Sequence, residues 1–243
     1  MSYQIWNDII NNDNFIINNK KMRIFPVLKK NKDYEKLLID DESFNFITFR
    51  EISSIITKII CHHLISHNLN PLNINVVDAT AGVGGNSLSF LSNLKNVISI
   101  EICKMRYEYL VNNINVYEYD NSICVNDDFC NYYKQYNVLD NIDVIFIDPP
   151  WGGIGYKNLT NLQLNLGDES IEDIVLNIYE IYKNNGKLNR TKFVILKLPK
   201  NYDIKFFYEK ISSKNNKNYL NNNINIYLYF LNKMFLLVCE LIN

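Results

Sequence analysis

Several things are scarce in this chain of 243 residues. Its five cysteines, Cys61, Cys103, Cys124, Cys130 and Cys239, are scattered and form no Cys-x-x-Cys pair. That argues against a zinc knuckle or a disulfide framework and suits a reducing compartment. No apolar run reaches the roughly 18 residues of a membrane-spanning helix, and the opening MSYQIWNDII carries an acid where a secretory leader is basic. A soluble protein inside the cell with no membrane partner is therefore expected. Charge of one sign is lacking too: the formal net charge is −1, so any contact with a polyanion has to be local. Candidate clusters are Lys20, Lys21 and Arg23, then Lys29, Lys30 and Lys32, then Lys183, Lys187, Arg190 and Lys192. Each of them also reads as ordinary solvated surface. There is no internal repeat, and the Asn-rich stretches 11–19 and 215–223 read as loops or insertions. His63 and His67 form an i, i+4 pair without the carboxylate spacing of a zinc protease, so no metal is expected.

A composition that is 47% hydrophobic gives one domain with a full core, and the pattern within it alternates. NINVVDA (Asn73 to Ala79) predicts a strand, AGVGG a turn, and NSLSFLSNL a helix capped by Asn86. NVISIE predicts the second strand, KMRYEYLVNNINVY a helix, SICVND the third strand, IDVIFID the fourth and TKFVILKLP the fifth. Ser170 to Asn184 is the helix before that fifth strand, and REISSIITKIICHHL is an amphipathic helix upstream, with Thr48 as its cap. Short apolar strands separated by helices predict βαβ units and a parallel sheet covered on both faces. The tail NINIYLYFLNKMFLLVCELI leaves no room for a helix around Leu231-Asn232-Lys233 and predicts an antiparallel hairpin. The expected fold class is α/β, a class I (Rossmann-like) methyltransferase topology with a mostly parallel seven-stranded sheet ending in that hairpin. A small N-terminal helical extension, residues 1–70, would complete the pocket of a core at 71–243.

Ligands of open α/β sheets bind outside the carboxyl ends of the strands. Asp78-Ala79-Thr80-Ala81-Gly82-Val83-Gly84-Gly85-Asn86 lies there. This is GxGG, neither the GxGxxG of dinucleotide binding nor a P-loop with its Lys-Ser/Thr, and alone it reads equally as a tight turn or a cofactor loop. Its neighbours add weight. Glu101 closes strand two, where an acid accepts hydrogen bonds from ribose hydroxyls, Asp128 closes strand three and can meet an adenine amine, and Asp148 closes strand four. With no basic residue read among these loops, a nucleoside carrying a cation fits better than a pyrophosphate. S-adenosylmethionine answers that description better than NAD. The fourth strand runs into FIDPPWGG, a carboxylate, two stiff prolines, an indole and two glycines, an arrangement that a binding site justifies.

VVDATAGVGGN, VISIE, NDDF, FIDPPWGGIGY and LKLPKNYD, in that order, together with the upstream LLIDDESFNFIT, resemble the trimethylguanosine synthases, which methylate N2 of a 7-methylguanosine RNA cap. The resemblance covers about Leu37 to Leu241. It implies S-adenosylmethionine as cofactor, no metal, and capped RNA or a cap analogue as partner. By the resemblance Asp78, Thr80, Gly82, Gly84 and Asn86 belong to the loop that holds the methionine part of the cofactor, Glu101 holds its ribose, and Asp128 with Phe129 its adenine. Thr48 closes over it. Trp151 stacks on the cap base, and Pro150 and Tyr156 line the cap side, although Tyr156 reads equally as a plain loop aromatic. Lys200 stands where the family has an arginine on the cap phosphates, which keeps the charge and loses the bidentate fork, and Asn201 follows it. Asp148 and the Pro149 carbonyl accept from the N2 amine, which makes Asp148, Pro149 and Trp151 the catalytic set. Thr80-Ala81 departs from the family's frequent Phe-Cys, Lys21 to Phe25 matches its helical extension faintly, and 26–36 contains an insertion.

A monomer is expected, in nucleus or cytoplasm, cellular or made by a virus in its host cell. Two rival functions remain open from the sequence. One is methylation of adenine N6 or unmodified guanine N2 in RNA or DNA, and the other is an inactive cap-binding scaffold.

Overall fold

The computed structural model describes residues 20–28, 31–135, 138–184, 190–212 and 224–242. Both Asn-rich stretches, and Lys29, Lys30 and Lys187 of the basic clusters, lie outside the described residues.

The strands are β1 (Asn75–Asp78), β2 (Asn96–Ile100), β3 (Ser122–Val125), β4 (Val144–Ile147), β5 (Asn165–Leu166), β6 (Glu169–Ser170), β7 (Phe193–Pro199), β8 (Ile224–Leu231) and β9 (Met234–Leu241). Seven of them form one sheet in the order β3-β2-β1-β4-β7-β9-β8. The first five are mutually parallel, while β9 runs antiparallel to both β7 and β8. Chain order reverses between β1 and β4, the place where an open sheet leaves a crevice at its carboxyl edge. The β8–β9 turn is two residues long, with Asn232 at φ 47, a left-handed conformation that asparagine tolerates and a tight hairpin requires.

The helices are α1 (Lys20–Ile24), α2 (Arg50–Ser66), α3 (Ser87–Leu91), α4 (Lys104–Val116), α5 (Phe129–Tyr132), α6 (Ile171–Asn184) and α7 (Ile204–Ser212). Each central strand is apolar on both sides, as a covered parallel sheet demands. Val77, Ile145, Ile147, Val194 and Leu196 pack towards α6 and α7 through Ile174, Ile178 and Phe207. Val76, Val97, Val144, Phe146, Phe193 and Ile195 pack on the other face with Ile56, Ile60 and Leu64 of α2 and Leu88 and Phe90 of α3. Residues upstream of α2, including Phe25 and Leu37, join this second cluster. Among the described residues no helix is long and apolar enough to cross a membrane.

Two helix caps are corrected. Phe49, not Thr48, holds the N-cap position of α2, and no side chain caps it. Asn86 stands at the N-cap of α3 but in a helical conformation and without a capping hydrogen bond. Instead the Asn86 amide donates to the Thr48 hydroxyl at 3.1 Å, and both residues are buried. Burial won over capping because Gly85 brings the upstream segment onto the glycine loop. A Cβ at Gly85 would lie 2.8 Å from Ile47 Cγ1 and 3.0 Å from the Thr48 carbonyl oxygen. Helix α7 and the β5–β6 hairpin are elements the sequence pattern does not announce.

Candidate active site

The four acids arrive at the carboxyl edge as their strand positions dictate, and their environments differ. Asp78, the last residue of β1, is fully buried. Its Oδ2 accepts from Ser87 Oγ at 2.6 Å, whereas its Oδ1 is buried without a hydrogen-bond partner. Burial pushes its pKa up to about 7, which the Ser87 bond opposes and the charge of Asp148 reinforces. Asn86 Oδ1 is a second buried acceptor without a partner. Glu101, just past β2, accepts from the backbone N–H of Gly82 and of Cys103, both at 2.8 Å, which ties the glycine loop to the strand-two acid. Asp128 caps α5 by accepting from Cys130 N at 2.9 Å, and Phe129 is buried behind it.

Within the loop the glycines serve different ends. Gly82, at φ 55, has nothing within 4 Å of where a Cβ would sit, so its outer side is open. Gly84, at φ 104, faces Leu110 and Leu88, and Gly85 admits the Ile47–Thr48 segment. Thr80 turns back towards β4, where its hydroxyl accepts from Asp148 N at 2.9 Å.

The turn after β4 is held from several sides. Pro149 is buried and Pro150 exposed. Gly152 and Gly153 have φ 89 and 69, so glycine is required there by conformation as well as by space. Trp151 is half-buried, its indole edge-to-face with Tyr156 at 5.3 Å, and its Nε1 is buried with no partner. The Asn201 amide donates to the carbonyls of Tyr156 and Leu159, both at 2.7 Å, and so ties this turn to the end of β7. Lys200 beside it is exposed.

Two contributors are absent from the sequence reading. Lys197, in β7, places its ammonium 2.5 Å from Asp148 Oδ2 and 5.0 Å from the centroid of the Trp151 indole. The expectation that no basic residue enters these loops is thereby corrected: a lysine of the neighbouring strand lies among the acids. Burial raises the pKa of Asp148, while Lys197 and a hydrogen bond with Thr48 pull it back down. The second contributor is the β5–β6 turn. A Cβ at Gly167 would lie 3.7 Å from Asp128 Oδ2, and Cys130 Sγ bonds the Leu166 carbonyl at 3.1 Å, so the hairpin flanks the strand-three acid. The dipeptide Leu166-Gly167 before an acid is the faint signal that could have marked it.

The residues present suit S-adenosylmethionine. Orphaned acceptors at Asp78 and Asn86 match an ammonium group, Glu101 keeps lone pairs for a diol, and Asp128, whose Oδ1 caps α5, keeps acceptor capacity for an amine. Lys197, a buried cation nearby, is paired with Asp148 and gives a pyrophosphate no berth.

A seven-stranded sheet of this order with such a crevice defines a methyltransferase dependent on S-adenosylmethionine. Comparison with known proteins agrees. The chain belongs to the RNA cap guanine-N2 methyltransferase family, whose model matches residues 73–237, more than half of it. It is 36% identical to the uncharacterized protein L320 of Acanthamoeba polyphaga mimivirus over 81% of this chain and 80% of that one. It is 28% identical to the trimethylguanosine synthase of Schizosaccharomyces pombe over 60% of this chain and 59% of that one. Among solved structures, the N-terminal domain of human METTL16 superposes with a TM-score of 0.54 at 13% identity, over 89% of this chain and 74% of that one. A putative methylase, HI0767 from Haemophilus influenzae, does so with a TM-score of 0.51 at 14% identity, over 77% and 89%. These two likenesses concern the fold.

Proposed function

We propose that the protein transfers a methyl group from S-adenosylmethionine to the exocyclic N2 of a 7-methylguanosine RNA cap. The observation that carries this reading is the Asp148-Pro149-Pro150-Trp151 turn, which sets a carboxylate and a half-buried indole side by side at the mouth of the cofactor crevice. When bound, S-adenosylmethionine supplies an electrophilic methyl on a sulfonium. The chain supplies the rest.

Asp78 and Asn86 bind the methionine end through their unpartnered oxygens, Glu101 the ribose, and Asp128 the adenine amine. N7-methylation leaves guanine positively charged, and a cation on an indole face gains roughly 0.5–2 kcal/mol over an uncharged ring. An ammonium already lies against the Trp151 indole, which supports reading this ring as one that takes cations. Asp148 accepts from the N2 amine and aims its lone pair, and the buried Pro149 keeps the turn rigid. The proton released from N2 passes to the Asp148 carboxylate and on to water. Alignment of this kind is worth several kcal/mol of barrier. Lys200, exposed at the mouth, meets the cap phosphates.

The test is methyl transfer from labelled S-adenosylmethionine to a 7-methylguanosine cap dinucleotide, to the same dinucleotide without the N7 methyl, and to uncapped RNA. Transfer to the first alone, at N2, is expected. Equal transfer to both dinucleotides, or transfer to uncapped RNA, would reassign the protein to general amino-methylation. No transfer, with cap binding intact, would make it a scaffold.

A further inference from the structure

All seven residues of strand β7 are buried. One of them is a lysine. A lysine with 3% of its surface exposed is costly to bury unless its charge is met, so its position calls for a cause. The register supplies one. Ile147 of β4 pairs with Leu196 of β7, so the next residues along, Asp148 and Lys197, emerge side by side on one face. Phe146 and Ile195 show which face that is, since both pack towards α2 and α3. Asp78 leaves β1 on that same side, because Val76, two residues earlier, packs there too. The Lys197 ammonium bonds Asp148 Oδ2, and the Thr48 hydroxyl also bonds this carboxyl.

We infer that Lys197 is a positioning residue for methyl transfer: it holds Asp148 ionised within a crowd of acids, fixes which carboxylate oxygen faces the substrate amine, and braces the Trp151 indole. The inference rests on the proposed role of Asp148. The charged and titratable groups shown acting with Asp148 are Lys197 on β7 and Asp78 on β1, which Glu101 after β2 also faces, with uncharged Thr48 from the upstream segment and Thr80 from the glycine loop. Lys197 is the cation among them. Without it, buried Asp78 and half-buried Asp148 would compete for one negative charge and Asp148 would take up a proton, which would turn the acceptor of the N2 hydrogen bond into a donor. The pair is formally neutral, so a positively charged base can approach the indole without meeting a net like charge.

Three variants of the full chain test this: Lys197→Met, Lys197→Arg and the double variant Asp148→Asn/Lys197→Met. The acid limb of kcat against pH for transfer to the cap dinucleotide is expected to move up by a unit or more in Lys197→Met and to stay within about half a unit of wild type in Lys197→Arg. In the Asp148→Asn background, adding Lys197→Met should change kcat less than twofold, since the lysine acts through the carboxylate. A second readout needs no substrate. Lys197→Met leaves a half-buried, uncompensated carboxylate whose folded pKa, already above its unfolded value, rises further. That contribution is favourable at low pH and lost as pH rises, so the melting temperature should fall more steeply between pH 5.5 and 8 than in wild type or the double variant.

An unmoved acid limb together with an unchanged pH dependence of melting would overturn the inference. So would a double variant that fails to fold as badly as the single one, because the lysine would then act by packing. Failure of wild type to methylate the cap would instead strike the proposed substrate, and the melting series would still decide the Asp148–Lys197 coupling.

Discussion

Two buried acids on strands of the same sheet are treated in opposite ways. Glu240 of β9 is 5% exposed, and donors surround it. Oε1 takes His67 Nε2 at 2.7 Å and Lys192 Nζ at 3.1 Å, and Oε2 takes Tyr227 OH at 3.0 Å and the Asn225 amide at 3.3 Å. Burial works against its charge, yet these partners, Lys192 first, hold its pKa down at about 2. Asp78 of β1 has Ser87 Oγ on one oxygen and no hydrogen-bond partner on the other, and burial carries it to about 7. An acid that only stabilises the fold is saturated from within. In the proposed function, the open oxygen of Asp78 receives a group from outside the chain.

The largest effect should come from the crevice acid next to the chemistry. Asp148→Asn is expected to lower kcat by a hundredfold or more while the cofactor dissociation constant, read by calorimetry, changes less than about threefold. Near-normal turnover would remove Asp148 from the reaction.

Asp78→Asn should split function from stability. Cofactor affinity is expected to weaken by roughly ten- to fiftyfold as an ammonium loses its anion, while the melting temperature of the ligand-free protein at pH 8 rises by a few degrees because a strained charge is gone. A fall in both would place Asp78 with the structural acids. The converse variant, Glu240→Gln, should leave turnover within about twofold and cost roughly 2–4 kcal/mol, or about 5–15 °C in a chain of this size.

The pH dependence separates the two acids by sign. Asp78, with its folded pKa raised above its unfolded value, adds stability at low pH that is lost as pH rises from about 4 to about 7. Glu240, depressed in the folded state, adds stability that is present above its unfolded value and lost as pH falls towards about 2. Melting curves of Asp78→Asn and Glu240→Gln should therefore depart from wild type in opposite directions above about pH 7, the first upward and the second downward, with the first difference closing as pH falls below about 7 and the second only as pH falls towards about 2. Cofactor affinity in wild type should tighten as pH rises through about 7 and be nearly flat in Asp78→Asn.

The smallest effect concerns the glycine loop. Gly85→Ala should cost about 1–3 kcal/mol by pushing Ile47 off the loop, with a matching loss of cofactor affinity through Thr48. Gly84→Ala should also be strained, by its φ of 104. An unaltered melting temperature in Gly85→Ala would mean the upstream segment does not rest on this loop.

Much of the fold was legible because its signals are local. Four to seven apolar residues closing on an acid read as strands feeding a carboxyl edge, and the terminal hairpin followed from two long runs with only Asn232 and Lys233 between them. Helix α7 begins where Asp203 accepts from Phe206 N at 2.9 Å, a cap that only the folded backbone reveals, since Leu198 to Asp203 reads along the sequence as part of the site. The hairpin of β5 and β6 is two residues deep on each side, too short for any periodicity. Thr48 and Asn86 have the chemistry of caps, and only their burial against each other, 38 residues apart, shows them in another use.

By itself the sequence determined the order of strands and helices, the acids that end four successive strands, and a proline-stiffened turn bearing an indole. Each of these depends on neighbours along the chain, where backbone preference and apolar period act. Tertiary structure decided which of those acids are satisfied and which are left wanting, why Gly85 has no side chain, and that Lys197 meets Asp148. Those outcomes depend on strand register and on the packing of segments 38 to 49 residues apart, where one residue of slippage would turn the lysine to the other face of the sheet.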